Sequence, residues 1–187
     1  MSLGGEQSVR ELERYPYLLG EVELIAEAVE RRLPVFGICL GGQLLAASQG
    51  AAISHLPSRS IDWPLVRRQP ASEGDRLWGS LPQTIPALHW NEDFFEVPDG
   101  AAELLSRSSL GGEAIRVGAR AWGIQFHPEA GDAILDGWYE LGGHLQAAGI
   151  TEAEARAADR RWMPTQRRLA ARLFGAFGSV VASGEPS

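Results

Sequence analysis

Between Tyr17 and Leu33 the apolar positions recur at helical spacing, with Leu18, Val22, Ile25, Ala26 and Val29 on one face and glutamates and arginines on the other. Pro34 ends this helix. The next stretch, PVFGIC, is apolar without alternation, which predicts a short strand buried on both faces. GGQLLAASQG then reads as a second helix, closed by Gly50 in a left-handed cap. Helix, buried strand and helix in this order open a parallel α/β arrangement.

From residue 51 the pattern becomes strand-like. AAISHL, WPLVRRQ, TIPALHW, AELLSRS, EAIRVG and AWGIQFH are short strand candidates separated by Pro, Gly, Asp and Ser turn signals. After Glu129 the helical pattern returns. GWYELGGHLQAAGI is interrupted by glycines, and the segment from Thr151 to Ala182 opens with Thr151 three residues before Glu154, the spacing of a capping box. Pro164 is expected to kink or split it. The whole reads as one α/β domain over residues 1–180, followed by a flexible tail at 181–187.

Composition narrows the chemistry. The 187 residues carry a formal charge of -7, which argues against wrapping a phosphate backbone, so no nucleic-acid partner is expected. All 17 basic residues are arginine. Without lysine there is no Schiff base, no lysine-bound pyridoxal phosphate and no Walker-type phosphate loop. A single cysteine makes no internal disulfide, and neither an export signal nor an apolar run of about 20 residues is present, so a cytoplasmic protein away from membranes is expected. No metal-ligand spacing stands out, and no cofactor is implied. The run Asn91–Glu92–Asp93 reads as a solvated turn.

The lone cysteine is where reactivity concentrates. Gly37-Ile38-Cys39-Leu40-Gly41 has the G-x-C-x-G form of a strand-to-helix nucleophile turn. An inert core cysteine is the bland alternative, but flanking glycines carry a conformational cost that only a tight turn repays. At the start of a helix the sulfur is favoured as thiolate, and the N–H of Leu40 points toward a developing oxyanion. A thiolate nucleophile needs a histidine with an orienting acceptor. His127 suits best, because GIQFHPEA is a buried strand ending in His-Pro-Glu, and Pro128 forces a turn that returns Glu129 toward the ring. Strand C-terminal ends share one crevice in such sheets, so the distance in sequence between Cys39 and His127 is no obstacle. His89 could line the crevice or pack, whereas His55 and His144 read as structural or exposed.

With PVFGICLGGQLLA and AWGIQFHPEA together, the chain resembles the class I glutamine amidotransferases, and more narrowly their free-standing, single-domain members, from about Gly4 to Phe174. The resemblance implies a flavodoxin-like open sheet and a Cys-His-Glu triad acting on the side-chain amide of L-glutamine. Cys39 would be the nucleophile that forms a γ-glutamyl thioester, His127 the general base and acid, Glu129 the group orienting the ring, and Leu40 one oxyanion donor. Gln43 would help hold the substrate, and SIDWPLV offers Ile61, Asp62 and Trp63 as contacts for its α-amino and α-carboxyl ends. HWNEDFFEVPDGAAELLSRS resembles the family segment with two histidines and an aspartate, Asn91 standing in place of the second histidine.

SLGGEQSV resembles the family's Gly-Gly loop, so Gly4 or Gly5 would supply the second oxyanion N–H. Family members carry about two strands and two helices, roughly 50 residues, ahead of this loop, and the chain lacks them. The expected consequence is a bare sheet edge and a tendency to homo-oligomerise through it. Three readings follow: a glutaminase supplying ammonia to an acceptor synthetase, a hydrolase of γ-glutamyl peptides or conjugates, and a catalytically impaired binding or regulatory module. A pocket open beyond the leaving nitrogen would favour the second.

Overall fold

The computed structural model describes residues 1–107, 110–141 and 143–184. Eight strands follow the apolar segments: β1 (Val35–Ile38), β2 (Ile53–Asp62), β3 (Leu65–Arg68), β4 (Thr84–Pro86), β5 (His89–Phe95), β6 (Ala102–Arg107), β7 (Leu110–Val117) and β8 (Ala121–Ile124). The α-helices are α1 (Tyr17–Glu30), α2 (Leu40–Ser48), α3 (Asp132–Tyr139), α4 (His144–Ala148) and α5 (Glu152–Ala182). Six strands form a mixed open sheet in the order β1-β8-β7-β6-β3-β4, and β2 and β5 pair as a separate antiparallel ribbon. β1 and β8 run parallel, Val35 opposite Ala121 and Ile38 opposite Ile124. This is the flavodoxin-like arrangement that the sequence predicts.

Period-two alternation in β1 sends its side chains to two different cores. Phe36 and Ile38 join Trp122, Ile124, Leu104 and Phe126 beneath Leu169, Leu173 and Phe177 of α5. Val35 faces the other way, into a cluster with Leu18 and Ile25 of α1 and Leu44 and Leu45 of α2. A third cluster, with Ile61, Leu88, Trp90, Leu135 and Met163, underlies the ribbon.

Several expectations are corrected. The strand expected over residues 84–90 is two: β4 stays in the large sheet and β5 crosses to the ribbon, with the Ala87 N–H donating to Pro64 O at 3.0 Å where the chain changes sheets. Asn91–Asp93 lies inside β5, not in a turn, and Asn91 and Asp93 are buried. Pro164 does not split α5, which runs unbroken from its Thr151–Glu154 capping box to Ala182. Pro164 takes a donor away from the carbonyl of Arg160, an exposed residue where water can substitute. Gly50 has φ 82°, as its capping role requires. Of the expected tail, residues 185–187 lie outside the described residues, as does Ser108 of the predicted AELLSRS strand.

The side of β1 away from β8 is not bare along its length. Ser2 makes a parallel bridge to Gly37, its N–H donating to Phe36 O and its O accepting from Ile38 N–H, both at 3.0 Å. Among the described residues, no helix is long and apolar enough to cross a membrane.

Candidate active site

Cys39 closes β1 and caps α2 with φ 51° and ψ -108°, a left-handed conformation in which a non-glycine residue is strained. The surrounding glycines make it feasible. A Cβ on Gly37 would lie 2.2 Å from Gly41 O, and one on Gly41 would lie 2.3 Å from Ser2 O, so the turn and the N-terminal segment pack backbone to backbone. The Cys39 N–H donates to Ile124 O at 2.8 Å, fixing the elbow to β8. Leu40 is the first residue of α2, so its N–H has no intrahelical acceptor and remains available to an oxyanion.

β8 carries the chain to the opposite side of the sulfur. The Gln125 N–H donates to Glu113 O at 3.0 Å and the His127 N–H to Leu88 O at 2.9 Å, which locks the segment beyond the strand. The Gln125 side-chain amide reaches Cys39 Sγ at 3.7 Å. His127 Nδ1 lies 2.7 Å from Glu129 Oε1, and its ring meets the Trp138 ring edge-on, centroids 4.9 Å apart. Nε2 is buried with no hydrogen-bond partner among the described residues, although the ring interacts with the neighbouring thiol; such pairs commonly tighten only with substrate in place. Burial by itself would lower the imidazolium, but negative charge on Cys39, then the Glu129 carboxylate, outweigh it and push His127 up to about 10. The protonated ring donates Nδ1–H to Glu129 and leaves Nε2–H available to a leaving group.

Two cavities meet at Cys39. One, of about 410 Å³, is polar, bounded by Leu40, Gln43, Arg59, Asn91, Glu92 and Asp93. The other, of about 310 Å³, lies on the His127 side against Trp138, Ile134, Leu141 and Leu3. Gly5, Arg59 and Trp90 border both. In the polar cavity Gln43 and Asn91 each donate to Asp93 O at 2.9 Å. The Asp93 carboxylate accepts from Ser8 Oγ, lies 2.7 Å from His55 Nδ1 and faces Arg10 at 3.6 Å. Asp93 thus ties the N-terminal segment to β5. Gly4 sits directly over the reactive pair: a Cβ there would lie 2.9 Å from His127 Cε1 and 3.6 Å from Cys39 Cβ.

The fold brings together Cys39, Leu40, Gln43, His127 and Glu129, with Gly4 and Gly5 beside them. It places Ile61, Asp62 and Trp63 elsewhere. Ile61 is buried in the ribbon's cluster, Trp63 Nε1 donates to Asp159 Oδ1 at 2.8 Å, and exposed Asp62 faces Arg107 at 3.6 Å. His55 and Arg59 are the residues of this strand that line the polar cavity; sequence reasoning has His55 as structural or exposed, and it misses Arg59 because the irregularity in β2 between His55 and Ser60 shifts the register. His89 packs instead of lining the crevice, its Nε2 2.9 Å from Glu113 Oε2. His144 lines the second cavity, where its Nδ1 accepts from Trp90 Nε1 at 3.0 Å. Burial first, and Arg59 second, hold His144 below the usual range, which keeps that acceptor available. Trp138 leaves no signal in the sequence beyond an aromatic on a short helix.

Comparison with known proteins identifies the family and the fold. The family model described as glutamine amidotransferase class-I matches residues 6–134. The chain is 31% identical over 129 residues to the glutamine amidotransferase-like protein YfeJ of Salmonella typhimurium, covering 67% of this chain and 54% of that one. It is 32% identical over 115 residues to the glutamine-hydrolysing GMP synthase subunit of Methanococcus maripaludis, covering 58% of this chain and 59% of the relative. The chain thus spans somewhat over half the length of these curated relatives. A crystal structure of a glutamine amidotransferase from Thermotoga maritima superposes with a TM-score of 0.82 at 25% identity, over 98% of this chain and 79% of that one.

Proposed function

The chain belongs to the class I glutamine amidotransferases, and from that membership we propose that it hydrolyses the side-chain amide of L-glutamine through a thioester on Cys39. The observation that carries the proposal is the strained Cys39 elbow beside a His127 whose Nδ1 is held 2.7 Å from Glu129. Cys39 Sγ attacks the γ-carbon, the Leu40 N–H and the Gly4–Gly5 backbone receive the oxyanion, and His127 Nε2–H gives its proton to the departing nitrogen as the C–N bond breaks. Water then gives a proton to His127 and its oxygen to the thioester, which releases glutamate and restores the thiolate.

The acyl half belongs in the polar cavity, where Gln43, Asn91 and the Arg59–Glu92 ion pair offer polar contacts to a zwitterionic α-carbon. The ammonia is proposed to serve a synthetase partner, a reading supported by relatives named as GMP synthase subunits. As part of this reading the reaction is assigned to the cytoplasm, and two copies are proposed to pair along β1 beyond Ser2, which sedimentation tests as a dimer.

Intact-protein mass after exposure to a glutamine analogue bearing a chloroketone tests the chemistry without any partner. One adduct on the parent chain, absent from Cys39→Ala, is expected. No adduct on the parent chain would favour the non-catalytic reading.

A further inference from the structure

Resting on the reading just given, the two cavities at Cys39 differ in a way that bears on the leaving group. The acyl group stays bonded to Sγ, and the oxyanion donor Leu40 and the polar residue Gln43 line only the polar cavity. His127 and Glu129 line only the other. The proton donor therefore stands on the wall toward which the amide nitrogen departs, and whatever that nitrogen carries must enter the second cavity.

That cavity is far larger than ammonia requires. Its volume of about 310 Å³ is roughly ten times the share of one water-sized molecule. Its walls are Trp90 and Trp138, ring centroids 5.2 Å apart, with Leu3, Ile134 and Leu141. Leu3, Ile134 and Leu141 are 52%, 41% and 39% exposed, apolar surface with no covering among the described residues. The charged groups there disfavour an anion. Glu129 is balanced by His127 at 2.7 Å and Arg59 by Glu92 at 2.9 Å, which leaves the Glu6 carboxylate on the wall.

We propose that this cavity is a leaving-group site and that the enzyme also hydrolyses γ-glutamyl amides of uncharged aromatic or branched alkyl amines. The bonds balance as for glutamine. The thiolate forms the C–S bond, the C–N bond breaks, His127 Nε2–H protonates the nitrogen, and a primary amine leaves in place of ammonia. Water then restores the enzyme and yields glutamate.

Steady-state kinetics with glutamine, γ-glutamylbenzylamide and γ-glutamylphenylalanine test this, the last bearing the same ring plus a carboxylate. The benzylamide is expected to exceed γ-glutamylphenylalanine about tenfold or more in kcat/KM. An Ile134→Ser/Leu141→Ser double variant is expected to lower the benzylamide rate about tenfold more than the glutamine rate. Turnover of glutamine with no benzylamide turnover would overturn the leaving-group site and leave the glutaminase intact. Equal turnover of the two aromatic substrates, or a benzylamide-to-glutamine ratio unmoved by the double variant, would overturn it as well. If none of the three is hydrolysed, glutamine hydrolysis itself falls, and this site with it.

Discussion

The two sides of Cys39 are built on opposite plans. Toward Gln43, polar atoms converge on one residue: two side-chain amides donate to Asp93 O, and Ser8 and His55 contact its carboxylate. Toward His127, the reacting ring is held by Glu129 beside the thiol, and Trp90, Trp138, Leu3, Ile134 and Leu141 make most of the wall apolar. A network of directed hydrogen bonds recognises one shape, because any mismatch leaves a buried polar group unpaired. An apolar wall grades its ligands by the area they bury and tolerates many. Specificity is thus concentrated on the half of the substrate that becomes covalently attached, and latitude on the half that departs.

The most severe way to break this comparison is to remove the group that moves the proton. His127→Asn is expected to lower kcat for glutamine hydrolysis by about 10⁴–10⁶-fold, as triad deletions do elsewhere, while circular dichroism stays that of the parent. A loss below tenfold would mean that another group moves the proton. Gly4→Ala sharpens the comparison one step down. Its Cβ would lie 2.9 Å from His127 Cε1, so either the ring turns or the Gly4–Gly5 backbone lifts away from the oxyanion. A loss of about 10²–10³-fold in kcat is expected. Gly5→Ala is the control, since its Cβ would meet only the side-chain ends of Gln7 and Leu40, which can swing aside, and less than about tenfold should be lost.

Smaller again is the effect of loosening the polar side from behind. Asp93→Ala keeps the backbone carbonyl that Gln43 and Asn91 use but removes the carboxylate contacted by Ser8, His55 and Arg10. A loss of about 1–3 kcal/mol in urea unfolding is expected, with KM for glutamine rising more than kcat falls. An unchanged urea midpoint would show that the Asp93 carboxylate does not hold the N-terminal segment.

This contrast also sets what the sequence could disclose. The elbow was legible because its constraints are local: Gly37, Gly41 and Gly42 all lie within three residues of Cys39 and are required by backbone approaches under 3 Å. His127 and Glu129 were legible for the same reason, two residues apart around a proline. The walls are not local. Arg59 enters through a shift of register in β2, Trp138 through the placement of a short helix after the His-Pro-Glu turn, and Asp93 through a strand whose buried polar residues resemble a turn on paper. Polar residues in a strand become informative only when the neighbours that satisfy them are known, and those neighbours come from segments more than 35 residues away. Ile61 and Trp63 show the converse, an aligned segment whose side chains went to the core once the chain folded.

The finest test bears on the proton that joins the two sides. In the folded chain His127 holds its proton up to about 10, against an ordinary value of 6.5 for an unfolded histidine. Between those values the native state keeps a proton that the unfolded state has released. For the ring alone, stability then falls as pH rises: its contribution is complete below 6.5 and is gone once pH passes about 10. Among the causes that raise the value, charge on Cys39 stands first, so Cys39→Ala removes much of the effect and leaves that of Glu129. The His127 ring resonances, followed by NMR, should consequently titrate at higher pH in the parent than in Cys39→Ala. Coincident titrations would mean that the sulfur does not hold the imidazolium, and the leaving group would then need another source for its proton.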